Sequence, residues 1–184
     1  MVTARARNRP QSMYQPTHTR TYRRLVEGST INGATLLSTD YLNHFNEFVM
    51  LLELAADMPD MVEELGQWAR KSYQQHFADS VFSQKALAIA AYEQSPLEFR
   101  VPLDDTVAGI DELITETQAS VGDAVAGSSP EAAADHIHGI ARDLRARIER
   151  AGAIINGARI EDLDDAEQDS CTVMGQDDID ALFS

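Results

Sequence analysis

Two long amphipathic stretches, joined by a short turn, constrain the fold of this chain more than any other feature. Residues 102–126 carry apolar side chains in three- and four-residue steps, and residues 130–156 repeat that spacing. The turn between them, Gly127 to Pro130, offers a serine cap and a proline at the first helical position. We therefore predict a long helical hairpin, with stripes buried in a bundle or against a second copy of the chain.

Three more stretches with helical spacing come before this hairpin. We predict helices over residues 38–57, 59–78 and 83–94, and a loop over residues 95–102, because a proline disfavours helix in the residue before it. The chain contains no convincing alternation of apolar and polar residues of the kind that marks a strand. The predicted fold class is all-α, a helical bundle with a long C-terminal hairpin and disordered tails.

Charge is unevenly distributed along the chain. The formal net charge is −15, which makes the body of the protein a poor binder of nucleic acid. Residues 1–24 nevertheless hold six arginines and no acid, while no Lys or Arg follows Arg159. One-sided charge with few large apolar residues predicts mobile ends over residues 1–25 and 158–173. The predicted organisation is a basic flexible arm (1–35), a helical bundle (36–157), an acidic linker (158–173) and a partner-binding peptide (174–184).

Cysteine content and hydropathy indicate a cellular location. The single cysteine, Cys171, excludes an internal disulfide and fits a reducing compartment. No apolar run approaches the roughly 20 residues of a membrane span, and no apolar run follows the N-terminal arginines as in a secretory signal. We expect a cytoplasmic protein without a membrane span.

Polar residues near the start of the first predicted bundle helix are candidates for chemistry. Asp40, His44 and Glu47 are spaced at i, i+4 and i+7 and so share one helix face, with Asn43 beside them. A solvated polar face, a metal site and a non-metal catalytic pair all remain open, and we favour the first. A metal site would need further ligands from facing helices. The chain offers His76, His136 and His138, but none of them belongs to a Glu-x-x-His pair. Phosphate-loop, nucleophile-elbow and zinc-protease motifs are absent, so we assign no metal ligand and no cofactor.

The C-terminal end is the most informative segment. Ile179, Leu182 and Phe183 fall at i, i+3 and i+4, opposite a negatively charged face. A two-turn helix is unstable alone in water but folds when it lies in a partner's groove. Packing on the protein's own bundle is the alternative, and the terminal position behind an acidic linker favours a partner. The residues that we assign to partner binding are Gln176, Asp177, Asp178, Ile179, Asp180, Leu182 and Phe183.

This segment resembles two known families of peptide. It looks like the N-terminal peptide of the flagellar switch family FliM, with the pattern S-Q-x-E-I-D-A-L-L, and is similar to the C-terminal peptide of the chemotaxis phosphatase family CheZ. Gln176 and residues 178–183 align with this pattern position by position, and the departures are Gly175 in place of Ser and Phe183 in place of the final Leu. In both families the peptide binds the phosphorylated response regulator CheY as a short acidic helix. The resemblance implies a CheY-like receiver domain as partner and a role in chemotaxis, motility or two-component signalling.

The hairpin of residues 102–156 followed by this tail is similar in outline to the CheZ family. Because that family is dimeric, the resemblance implies a homodimer. Asn43 and Glu47 stand where CheZ has an acid and an amide, but exchanged, while Asp40 and Asn43 have the spacing of other response-regulator phosphatases. In those enzymes the amide orients a water towards an aspartyl phosphate, and the acid contacts the regulator's lysine. We therefore carry three hypotheses: a receiver-binding interaction protein, a phosphatase that uses Asp40, Asn43 and Glu47, and a metal-binding bundle. Exposure of residues 40–47 would favour the second.

Overall fold

The computed structural model describes residues 17–164, with side chains from residue 19 onward. Every named element in this range is a helix, and a single isolated bridge pairs Ile31 with Ser38, which confirms the all-α prediction. The elements are α1 (Thr17–Leu25), a 3₁₀ turn (Thr39–Tyr41), α2 (Leu42–Asp57), α3 (Met61–Gln67), α4 (Tyr73–Asp79), α5 (Lys85–Glu93), α6 (Leu97–Gly127) and α7 (Pro130–Ile155).

The long hairpin is formed by α6 and α7. Helix α7 begins as predicted, because the Ser129 side chain accepts a hydrogen bond from the Ala132 N–H and Pro130 occupies the first turn. The apolar stripe of α7 packs against α2 and α6 of the same chain, so a second copy is not needed to bury it. Its buried residues are Ala133, Ile137, Ala141, Leu144, Ile148, Ala151, Ile154 and Ile155. No helix among the described residues is long and apolar enough to cross a membrane.

The predicted loop over residues 95–102 is wrong, because α6 already begins at Leu97. Pro96 lies at the extended N-cap position, where a proline costs nothing. Pro102 lies inside the second turn and removes one helical donor, but Phe99 and Leu103 in these turns are buried. The packing of these two side chains outweighs the lost hydrogen bond, which sequence spacing alone does not reveal.

The predicted helix over residues 59–78 is also wrong, since α3 and α4 are separate helices with a connection at residues 68–72. Helix α4 begins with a capping box: the Ser72 hydroxyl accepts from the Gln75 N–H at 3.2 Å, and Gln75 Oε1 accepts from the Ser72 N–H at 3.1 Å. Gln118 on α6 stabilises the connection by donating to the carbonyls of Leu65 and Trp68, each at 2.9 Å.

The described part of the predicted flexible arm over residues 1–35 is folded. Residues 17–25 form α1, and Val26 and Ile31 behind it are buried in the core. Thr35 donates a hydrogen bond of 2.7 Å to the buried carbonyl of Ile155 at the end of α7. The bundle therefore includes the described chain from residue 17, because long-range contacts that local composition does not show hold this segment.

The acidic linker predicted over residues 158–173 is attached to the bundle at its beginning. Ile160 and Leu163 are half-buried against the core, and Arg150 forms an ion pair with Asp164. The prediction of mobility is therefore wrong for residues 158–164. Residues 1–16 and 165–184 lie outside the described residues.

Candidate functional site

Asp40, the first of the predicted catalytic residues, takes part in the loop that leads into α2. Its Oδ2 accepts hydrogen bonds from the Thr30 hydroxyl at 2.7 Å and the Ser38 hydroxyl at 3.0 Å. Ser38 in turn accepts a hydrogen bond from the Asp40 N–H as the cap of the 3₁₀ turn. This oxygen of Asp40 is therefore already used in fixing the entry to α2.

Asn43 and Glu47 lie one turn apart on α2, and both are exposed. Neither side chain makes a hydrogen bond within residues 17–164. Together they border a depression of about 220 Å³, which we call the α2–α4 depression. Its lining residues are Asn43, His44, Glu47, Lys71, His76, Asp79 and Ser80. The structure thus leaves an amide and an acid free to meet a second molecule.

His44 does not belong to a solvated polar face, which corrects the interpretation that we favoured for that position. Its side chain is only 6% exposed, and its ring stacks on Trp68 with centroids 4.3 Å apart. The break between α3 and α4 places Trp68 over this face of α2, so the spacing along α2 alone could not reveal the burial. Nε2 of His44 has no hydrogen-bond partner among the described residues.

Burial lowers the pKa of His44 to about 4, and repulsion from Lys71 and from His76 in its protonated form acts in the same direction. Burial also lowers the pKa of His76, again with a contribution from Lys71. Both imidazoles are therefore neutral near pH 7. The positive charge of the depression belongs to Lys71, which sequence spacing missed because it lies on another segment of the chain.

Lys71, which precedes α4, forms an ion pair with Asp79, the last residue of α4, with Nζ and Oδ2 2.9 Å apart. The hydrogen bond and charge of Lys71 lower the pKa of Asp79, which is consequently ionised at neutral pH. No group of three or more His, Cys, Asp or Glu side chains in the described range is arranged to hold a metal ion. The depression therefore has the polar groups to position a water or a partner's side chain, but no assembled metal centre.

The residues assigned to partner binding, Gln176 to Phe183, lie outside the described residues. The fold and the α2–α4 depression define the described part of the chain as an all-α bundle with a polar surface depression beside α2. No protein-family model matches this chain, and no curated protein or solved structure matches it either.

Proposed function

We propose that this protein is an interaction protein of bacterial chemotaxis or two-component signalling, which binds a CheY-like response regulator through residues 174–184. The observation that supports the proposal is the sequence of this peptide, in which Ile179, Leu182 and Phe183 have the spacing of one face of a helix. The acids of the peptide are Asp177, Asp178 and Asp180. Each buried anchor is worth about 1.5–3 kcal/mol of transfer free energy. The acids would meet basic residues at the rim of the receiver's groove and speed association.

The bundle would serve as the platform for this peptide. The packing of Ile160 and Leu163 attaches the chain to the bundle as far as residue 164. Nine residues, 165–173, then precede the peptide, and nine residues span at most about 30 Å when fully extended. A receiver bound to residues 174–184 would thus remain within a short distance of the bundle surface.

Removal of the peptide tests this proposal. The full protein and a version ending at residue 173 are compared as baits for the organism's CheY-like receivers, with and without a phosphoryl mimic. The proposal predicts that at least one receiver is retained by the full protein and lost with the truncated one. Equal retention by both versions would place receiver binding elsewhere in the protein.

A response-regulator phosphatase is the second candidate, and the exposure of Asn43 and Glu47 favours it. In this mechanism the Asn43 amide orients the attacking water, and Glu47 contacts the regulator's lysine. The protein supplies positioning and not a nucleophile. Oδ2 of Asp40 already accepts hydrogen bonds from Thr30 and Ser38. Asp40 would therefore act indirectly, by holding the loop that leads into α2 and so positioning Asn43 and Glu47.

Dephosphorylation of the receiver separates the two candidates. Asn43→Ala should abolish any acceleration of dephosphorylation while leaving receiver binding intact. Asn46→Ala is the matched control, because Asn46 is an exposed amide on the same helix outside the depression. If the wild-type protein binds the receiver without accelerating dephosphorylation, the protein is an interaction protein only.

A homodimer and a cytoplasmic location belong to the same proposal. The dimer would need a surface other than the α7 stripe, which is buried within the chain. Light scattering of the full protein during size-exclusion chromatography measures its mass directly. A mass of one chain at micromolar concentration would contradict the dimer without affecting receiver binding.

A further inference from the structure

A second, larger cavity shares Lys71 with the α2–α4 depression. It is an open cleft of about 560 Å³ between α6 and residues 70–75. These residues comprise the end of the connection between α3 and α4 and the first turn of α4. Three tyrosines border it: the rings of Tyr41 and Tyr73 meet edge to face at 5.2 Å, and those of Tyr73 and Tyr92 stack at 4.7 Å. A cleft of this volume, with aromatic and aliphatic walls, has the size of a small-molecule site.

Opposite charges line the two sides of this cleft. Arg70 and Lys71 lie on the connection, while Asp104 and Asp111 lie on α6. Two of these four groups have partners, since Lys71 is paired with Asp79 and Asp104 accepts a hydrogen bond of 2.6 Å from the Tyr92 hydroxyl. The remaining cation and anion, Arg70 and Asp111, are the groups available to a ligand.

Arg70 and Asp111 lie near each other without forming a bond. Burial raises the pKa of Asp111, and the charge of Arg70 acts against this rise. Arg70 makes no hydrogen bond or ion pair within residues 17–164, and Oδ1 of Asp111 is buried there without a donor. A buried acceptor without a donor is costly, so a ligand that donates to Asp111 is favoured.

We propose that this cleft binds a small zwitterion, an amino acid with an apolar side chain, through its ammonium at Asp111 and its carboxylate at Arg70. Leu103, Val107 and Ala108 of α6 offer an aliphatic wall for the ligand's side chain. A purely cationic ligand would leave Arg70 without a partner, and a purely anionic one would leave Asp111 without a donor. The proposal does not depend on receiver binding.

Calorimetric titration of the full protein tests the ligand class. L-leucine, L-valine and L-phenylalanine are the probes, and two leucine derivatives each lack one charge. Leucine methyl ester lacks the carboxylate and N-acetyl-leucine lacks the ammonium, so each should bind at least tenfold more weakly than leucine. Absence of binding by all three amino acids at about 10 mM would overturn the proposal, as would equal binding of leucine and both derivatives.

Two variants assign the two ends of the ligand. Asp111→Asn should weaken the binding of leucine and of its methyl ester at least tenfold. Arg70→Gln should weaken leucine binding equally but leave the methyl ester within twofold of its wild-type affinity. The matched controls are Asp105→Asn and Arg142→Gln, which alter exposed charges outside the cleft.

Arg70 is exposed, so Arg70→Gln remains informative even if Asp111→Asn does not fold. Unchanged affinity of the Arg70 variant for leucine would overturn the assignment. That result is expected if Arg70 and Asp111 simply pair with each other in solution.

Discussion

At the scale of single residues, the burial of His44 is the least expected feature of this molecule. The ring lies between α2 and the connection at residues 68–72, stacked on Trp68, and its pKa is lowered to about 4. An unfolded chain would bind a proton at this position with a pKa of about 6.5. Between these two values the unfolded state binds more protons than the folded state, so stability falls as the pH falls through this window.

We predict that the protein loses about 2 kcal/mol of unfolding free energy through His44 between pH 7 and pH 4.5. His44→Phe keeps an aromatic ring on Trp68 and removes the titration, so the variant should show a weaker dependence of stability on pH. Urea unfolding at the two pH values measures the difference. His136→Gln, at an exposed position, is the control and should keep the wild-type slope. Identical slopes for His44→Phe and the wild type would contradict the assignment.

At the scale of secondary structure, local sequence signals explain some of the helices, and long-range packing explains the others. Periodicity predicted α2, α5 and α7, because each buries one stripe of its own residues. The capping box at Ser72 and Gln75 was readable as S-x-x-Q and marks the start of α4, but continuous apolar spacing favoured one long helix. The early start of α6 and the packing of residues 26–35 depend on long-range contacts, which no local pattern encodes.

The capping box gives a prediction about the beginning of α4. Ser72→Ala removes the acceptor for the Gln75 N–H and should cost about 1 kcal/mol of unfolding free energy. Ser83→Ala is the matched control, because Ser83 is exposed and α5 begins after Gln84 without a side-chain cap. Chemical denaturation of both variants measures the costs, and equal losses would show that Ser72 has no special role as a cap.

The attachment of the N-terminal segment to α7 gives a second prediction at this scale. Thr35→Val removes the donor to the buried Ile155 carbonyl and should lower the free energy of unfolding by about 1–3 kcal/mol. Thr115→Val, on the exposed face of α6, is the control and should change the free energy of unfolding by no more than about 0.5 kcal/mol. Thermal unfolding compares the two variants. A Thr35→Val variant as stable as the wild type would show that this contact does not hold the segment.

At the scale of the whole molecule, the bundle places two polar cavities beside the same short connection between α3 and α4. The α2–α4 depression and the cleft both include Lys71. The candidate pair Asn43 and Glu47 was visible in the sequence because both residues lie on one helix. Their neighbours Lys71, His76 and Asp79 were not, since they reach the depression only after α3 and α4 separate and α4 packs beside the 3₁₀ turn that precedes α2.

The central claim concerns residues 174–184, and titration of a fluorescent peptide of this segment with phosphorylated CheY-like receivers tests it most directly. We predict saturable binding to at least one receiver, weakened at least about tenfold by the double change Ile179→Ala and Leu182→Ala. Replacing Asp177 and Asp178 with Asn should mainly change the association rate and its salt dependence. If no receiver binds the peptide better than a scrambled sequence of the same composition, the central claim is wrong.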